Sequence, residues 1–231
     1  VFREYYINDA GRQMDILAVS VWLRYLELGG ETFTFPQNAY RADYLLPVAR
    51  QLRDSAAASL HCASADVFSN LPPDAPAGDK DQYIDAVIDR ARGLIGPDGF
   101  ARVLGIGRDA MLAEIQDDLR GFGVHFELWY SERALLDSGA IDRAITRLRA
   151  QGNVYEKDGA LWFRATAFGD DEDRVVVREN GVKTYFASDI AYHQDKYDRQ
   201  FQRLINLLGP DHHGYISRLK ASVIAFGHDG E

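Results

Sequence analysis

Two strand-to-helix corners in succession constrain this chain more than anything else in it. They lie in Thr184 to Gly214, TYFASDIAYHQDKYDRQFQRLINLLGPDHHG. Thr184–Ala187 reads as a short strand, with Ser188 able to cap a helix from Asp189 to about Arg199. Arg203–Leu208 reads as a buried strand, because Leu204-Ile205 and Leu207-Leu208 sit between an amphipathic helix and the Gly209-Pro210 corner. Two successive βα units imply parallel strands joined by a right-handed crossover. Ligands of such sheets bind beyond the carboxyl ends of the strands, which is where Tyr185, Asp189, Asp211 and His212 fall.

Ahead of this stretch the periodicity is mostly helical. Phe2–Ile7 is strand-like and ends at Asn8-Asp9-Ala10-Gly11. Met14, Leu17, Ala18, Val21, Tyr25 and Leu28 then recur at helical spacing until Gly29-Gly30. A second helical region runs from Asn38 to Ala58, with Pro47 suited to a first turn. Ser69 to Gly78 is a loop. Ile84 to Leu94 forms a third face, stopped near Gly96-Pro97, and Leu112, Ile115 and Leu119 a fourth, stopped near Gly121. Val124–Trp129 alternates like a strand, Ser131 opens a short turn or helix, and Ser138 precedes a fifth face ending at Gly152. From Asn153 to Ala187 the period becomes strand-like. Val154–Glu156, Ala160–Arg164, Arg174–Arg178 and Lys183–Ala187 are separated by Asp158-Gly159, Gly169-Asp170-Asp171 and Asn180-Gly181, two of which are strong hairpin signals. The expected domains are a mostly helical part over residues 1–150 and, over 151–231, a small antiparallel β patch with half of a parallel α/β sheet.

Several motifs have bland readings. Leu104-Gly105-Ile106-Gly107 lacks the third glycine of a dinucleotide fingerprint and reads as a turn and helix entry. The acidic run Gly169 to Asp173 lacks the spaced ligands of a calcium loop and reads as a solvated hairpin turn. Tyr5, Tyr6, Trp22 and Tyr25 read as core. Adjacent His212 and His213 point apart and have no cysteine beside them, so no metal site is expected. The single cysteine, Cys62, cannot form an internal disulfide, which agrees with a reducing, cytoplasmic setting. No run approaches the ~18 consecutive apolar residues of a membrane span. The net charge of −9 argues mildly against a nucleic-acid partner. The opening in VFREYYI, with no initiator Met, reads as a piece of a longer chain. Asp189 suits a guanidinium, which is planar, always charged and best met by a carboxylate. It would equally suit the amides at its own helix N-terminus, and residue spacing alone favours that second reading.

The residues YFASDIAYH-x-x-K followed by G-x-DHHGYI-x-R-x-KA resemble the arginyl-tRNA synthetases, class I enzymes that join arginine to its tRNA. REYYINDAGRQMDILAVSVWLRY, HFELWYSE and GALWFRATAFGDDEDRVVVRENG resemble the same family, in the family's order, and Leu52 to Asp98 is the weakest part of the match. The resemblance implies an α/β fold: half of a Rossmann-like parallel nucleotide-binding sheet, a mostly helical insertion region over 1–150, and a small antiparallel β patch. It implies that Tyr185 and Asp189 bind the arginine side chain and that Gly209, Asp211 and His212 lie at the nucleotide, with Asp211 at the ribose. Pro210 replaces a common alanine and removes an amide that could have served the nucleotide. The substrates implied are L-arginine, ATP with Mg2+, and the arginine tRNA, in a cytoplasmic monomer. The family's His-x-Gly-His element and Lys-rich mobile loop are not in this sequence, so no catalytic residue is assigned and the chain alone is expected to be inactive. The other classes that fit the residues are an arginine- or guanidino-binding module without turnover, and a non-catalytic interaction protein derived from a synthetase.

Overall fold

The computed structural model describes residues 1–230 and, among these, all side chains except those of residues 56–58, 211 and 213. The chain divides into two compact units, Val1–Trp129 and Tyr130–Glu231.

In the first unit, strand β1 (Glu4–Ile7) leads into helix α1 (Arg12–Leu28). Helices α2 (Leu45–Ala56), α3 (Ser64–Phe68) and α4 (Lys80–Gly121) follow. From Met14 to Leu26 every residue of α1 except Asp15 is buried, as a helix surrounded on all sides requires. Two of its buried polar side chains are satisfied in place, whereas Arg24 Nε has no hydrogen-bond partner among the described residues. Ser20 donates to the Ile16 carbonyl at 2.6 Å and accepts from the Tyr40 amide at 2.9 Å. Trp22 donates its indole N–H to the Leu60 carbonyl at 2.8 Å. Asp79 caps α4 by accepting from the Asp81 amide at 2.7 Å. The expected stop at Gly96-Pro97 is present as a kink: Gly96 has φ 69° and ψ 172°, and Pro97 reopens the helix where its missing N–H costs nothing. Leu104–Gly107, expected as a turn, lies inside α4 instead. Gly107 faces α1, and a Cβ on it would make ordinary contact with Val21 Cγ2 at 3.4 Å. Val124–Trp129, expected as a strand, forms one only at its end, in β2 (Leu128–Ser131). The Glu127 and Leu128 amides both donate to the Arg3 carbonyl, and Tyr5 packs on Phe126 and Trp129. Trp22 and Tyr25 are core, while Tyr5 and Tyr6 are half-buried.

The second unit begins with α5 (Glu132–Asp137) and α6 (Ala140–Ala150). Ser131 caps α5 through the Ala134 amide at 3.0 Å. Strands β3 (Val154–Lys157), β4 (Ala160–Phe163) and β5 (Arg174–Val177) form a three-stranded antiparallel sheet in that order. Asp158 (φ 52°) and Gly159 (φ 75°) make the β3–β4 turn, both in the left-handed region that an Asp-Gly pair tolerates. Helices α7 (Tyr185–Asp198) and α8 (Ile216–Ala225) complete the unit.

Three expectations are corrected here. Lys183–Ala187 is not a strand beyond an isolated bridge between Lys183 and Val177. Thr184 caps α7 through the Ala187 amide and draws Tyr185 into the first helical turn. Arg203–Leu208 has no regular structure, and Ile205 and Leu207 are 73% and 94% exposed. A parallel strand needs hydrogen-bonded neighbours and helices over both faces, and no described strand pairs with this run. The crossover between the two predicted strands is therefore absent among the described residues. Thirdly, Asp170 is buried rather than solvated. The α/β class and the antiparallel patch stand as expected.

Candidate active site

The geometry begins at the N-terminus of α7. Thr184 is the cap, so Asp189, five residues on, does not serve the terminal amides. Tyr185 and Asp189 are four residues apart on one helical face. Tyr185 is 72% exposed, whereas the Asp189 carboxylate is half-buried and accepts a short hydrogen bond at Oδ2 from the Tyr215 hydroxyl. Burial pushes the Asp189 carboxyl above the usual carboxylate range. The Tyr215 hydroxyl, the neighbouring His212 and the positive charges of Lys196 and Arg218 oppose that shift without cancelling it. The Tyr215 phenol is itself pushed up, by burial first and by the neighbouring Asp189 charge second. The Arg218 guanidinium lies 4.7 Å from the centre of the Tyr215 ring. Among the described residues no lysine or arginine forms an ion pair with Asp189.

One turn further along α7, His193 is buried. Its Nδ1 lies 2.8 Å from the Asp189 carbonyl and its Nε2 lies 3.0 Å from the Asn206 amide nitrogen. The Asn206 amide can only donate there, so the ring carries its proton on Nδ1 and gives it to the carbonyl. Burial lowers the His193 pKa, which keeps the ring neutral. A cavity of about 350 Å³ opens beside it, lined by His193, Tyr197, Asn206, Leu208 and Lys220; Tyr185 and Asp189 are not in its wall.

The second predicted corner is a 3-10 turn, Pro210–Tyr215, that runs straight into α8. The His212 amide donates to the Gly209 carbonyl at 3.0 Å, and both residues are exposed. The Asp211 side chain lies outside the described residues. The turn delivers Tyr215 to Asp189 and sets His212 near that carboxylate.

Below the start of α8 is a polar clasp. Arg174 grips Asp170 with two nitrogens, Nε to Oδ2 at 2.7 Å and Nη2 to Oδ1 at 3.1 Å. The Ser217 hydroxyl donates to Asp170 Oδ1 at 2.9 Å, and the Asp171 amide donates to the same oxygen at 3.0 Å. Burial disfavours the charge on Asp170, but these bonds outweigh it and hold the carboxyl well below its ordinary range.

Sequence reasoning singled out Tyr185, Asp189, Gly209, Asp211 and His212. It missed Tyr215, His193, Asn206 and the Asp170 clasp. Tyr215 lay within the quoted run DHHGYI, and the i, i+4 spacing of Asp170 and Arg174 was visible as well. Their partners are 26 and 47 residues away along the chain, which no local pattern shows. Among the described residues, no group of three or more His, Cys, Asp or Glu is placed to hold a metal ion, and no helix is long and apolar enough to cross a membrane.

No family model matches the chain. An arginine–tRNA ligase of Thioalkalivibrio sulfidiphilus is 55% identical over 230 residues, covering 99% of this chain and 39% of the relative. One from Legionella pneumophila is 53% identical over 227 residues, covering 98% of this chain and 39% of the relative. A crystal structure from Campylobacter jejuni, named as an arginyl-tRNA synthetase, superimposes with a TM-score of 0.74 at 28% identity, covering 98% of this chain and 43% of that one. Matched from end to end, yet spanning only about two-fifths of those curated relatives, the chain is similar to a segment of arginine–tRNA ligases.

Proposed function

We propose that the chain is part of the catalytic domain of an arginine–tRNA ligase, which activates arginine with Mg-ATP and passes it to the terminal ribose of its tRNA. The observation that carries this is Asp189, a half-buried carboxylate with one oxygen fixed by Tyr215 and no ion-pair partner among the described residues. A guanidinium entering a partly dry site loses strong hydration and needs such a charge. Tyr185, on the same face, is exposed and free to close over the ligand's side chain. In this reading Gly209, Asp211 and His212 lie against the nucleotide, with Asp211 at the ribose. Residues 1–150 are the insertion region approached by the tRNA acceptor end, and 151–231 hold the β patch and the second half of the nucleotide-binding domain. The setting is the cytoplasm and the protein is a monomer.

The residues present bind and orient. The arginine carboxylate is already the nucleophile, so the first step needs positioning and charge stabilisation more than a base. The elements that supply that stabilisation in class I synthetases, His-x-Gly-His and a Lys-rich loop, are not in this sequence. The isolated chain is therefore expected to show no arginine-dependent exchange of pyrophosphate into ATP.

The test is Asp189→Asn in the longer ligase that contains this chain. The loss of one charged hydrogen bond costs about 1.5–3 kcal/mol, and an unpaired guanidinium raises this to about 3–5 kcal/mol. The KM for arginine should rise by orders of magnitude while that for ATP moves little, and Asp211→Asn should do the reverse. An arginine KM within a few-fold of the parent for Asp189→Asn removes the assignment.

A further inference from the structure

We propose that Tyr215 is the positioning residue for the specificity carboxylate: its hydroxyl holds Asp189 Oδ2, and the Asp170–Ser217 contact braces the helix start that carries it. This rests on the reading of Asp189 as the arginine-binding group.

Three observations carry it. First, the Tyr215 hydroxyl donates to one oxygen of Asp189 and leaves the other for a ligand. A carboxylate on a helix face has a free final torsion, broad and two-fold in its preference. A hydrogen bond on one oxygen selects one setting of that torsion before the ligand arrives, which lowers the ordering cost of binding. Second, Tyr215 has little room to wander. It closes the 3-10 turn that opens α8. Its ring meets Phe186 edge-on at 6.4 Å and has the Arg218 guanidinium over its face. Third, two residues on, Ser217 is tied to Asp170, whose carboxylate is locked by two nitrogens of Arg174. The Asp170 side chain is completely buried, and it ties the turn before β5 to the first turn of α8. A polar clasp at that depth costs desolvation, and full hydrogen bonding is what makes it tolerable.

The charged and titratable groups facing Asp189 are Lys196 on its own helix, His212 on the 3-10 turn, and Tyr215 and Arg218 at the start of α8. Tyr215 donates to the ionised form of Asp189 and so favours it against burial. Removing the hydroxyl should let the Asp189 pKa rise further, so that arginine binding weakens at a higher pH than in the parent.

The experiment compares parent, Tyr215→Phe, Ser217→Ala and Asp189→Asn forms of the longer ligase. Its readouts are the KM for arginine, the KM for ATP, the pH profile of kcat/KM for arginine, and Tm. Expected for Tyr215→Phe are an arginine KM raised by about tenfold, an ATP KM within twofold, an unchanged Tm, and an acid limb of the profile moved to higher pH. Ser217→Ala should shift the same quantities in the same direction by a smaller factor. An arginine KM and acid limb unchanged in Tyr215→Phe overturn the proposal, and so does a lowered arginine KM, which would make Tyr215 a competitor for the carboxylate. If Asp189→Asn itself leaves the arginine KM unchanged, the underlying reading fails. If Asp189→Asn has its large effect and Tyr215→Phe has none, only the positioning role fails.

Discussion

Helices α1 and α7 are both mostly buried, but they are held by different means. Helix α1 buries Leu17, Val21, Trp22, Leu23 and Leu26 among apolar neighbours. Two of its buried polar groups, Ser20 and Trp22, bond locally or to nearby backbone. Helix α7 buries Ser188, His193 and Gln194 together with Phe186 and Ile190. Its ties are directional: Thr184 to Val175, His193 to Asn206, Asp189 to Tyr215. Apolar burial is forgiving of angle and insensitive to pH. Polar burial is worth less per contact but fixes orientation and titrates. A helix that only has to persist can be built the first way. Helix α7, which carries a half-buried carboxylate held by a tyrosine hydroxyl, is built the second way.

The contrast can be broken most directly at Trp22. Trp22→Ala removes a fully buried side chain and strands the Leu60 carbonyl, and should cost about 3–5 kcal/mol at any pH from 5 to 8. Equilibrium urea unfolding measures this, and a loss under about 1 kcal/mol would mean that α1 is not the centre of its unit.

Asp170→Asn sharpens the other side. It should cost about 2–3 kcal/mol, below the ~3–5 kcal/mol of a fully isolated buried pair because Asp171 and Glu172 stay beside Arg174. The folded pKa of Asp170 lies below its unfolded value near ~3.9. Its contribution is therefore complete above about pH 4 and is lost as the pH falls below that. The parent should lose stability on acidification more steeply than the Asn variant, and parallel curves would contradict the assignment. Thr184→Ala should cost only about 1 kcal/mol, read as a small shift in the urea midpoint, since one cap is lost from a helix packed on several sides.

What the sequence revealed follows from the range of the forces involved. The Asp158-Gly159 hairpin and the break at Gly96-Pro97 were legible because a turn is dictated by its own backbone torsions. Helix α1 was legible because its apolar spacing repeats over several turns. Arg203–Leu208 was misread because strand propensity is a statement about neighbours, and an apolar run without them stays irregular. The acidic run Gly169–Asp173 was misread because local composition cannot show that Ser217 and Arg174 converge on Asp170. At the candidate site the helix that carries Asp189 was legible, while the Tyr215 hydroxyl that donates to Asp189 was not singled out.

The three tryptophans are distributed usefully for spectroscopy. Trp22 and Trp129 belong to the first unit and Trp162 to the second. Trp22 is almost fully buried with its indole N–H bonded to a carbonyl, and Trp162 is half-buried with Lys157 Nζ 5.5 Å from its ring centre. A double Phe replacement of Trp22 and Trp129 leaves an emission that reports only on the β patch. A double replacement of Trp129 and Trp162 leaves one that reports only on α1. Coincident transitions from the two would mark a single cooperative melt, and separated ones would mark two. Once Trp129 is replaced, Trp22 and Trp162 serve as intrinsic lamps, one in each unit, for following whether the two units melt together.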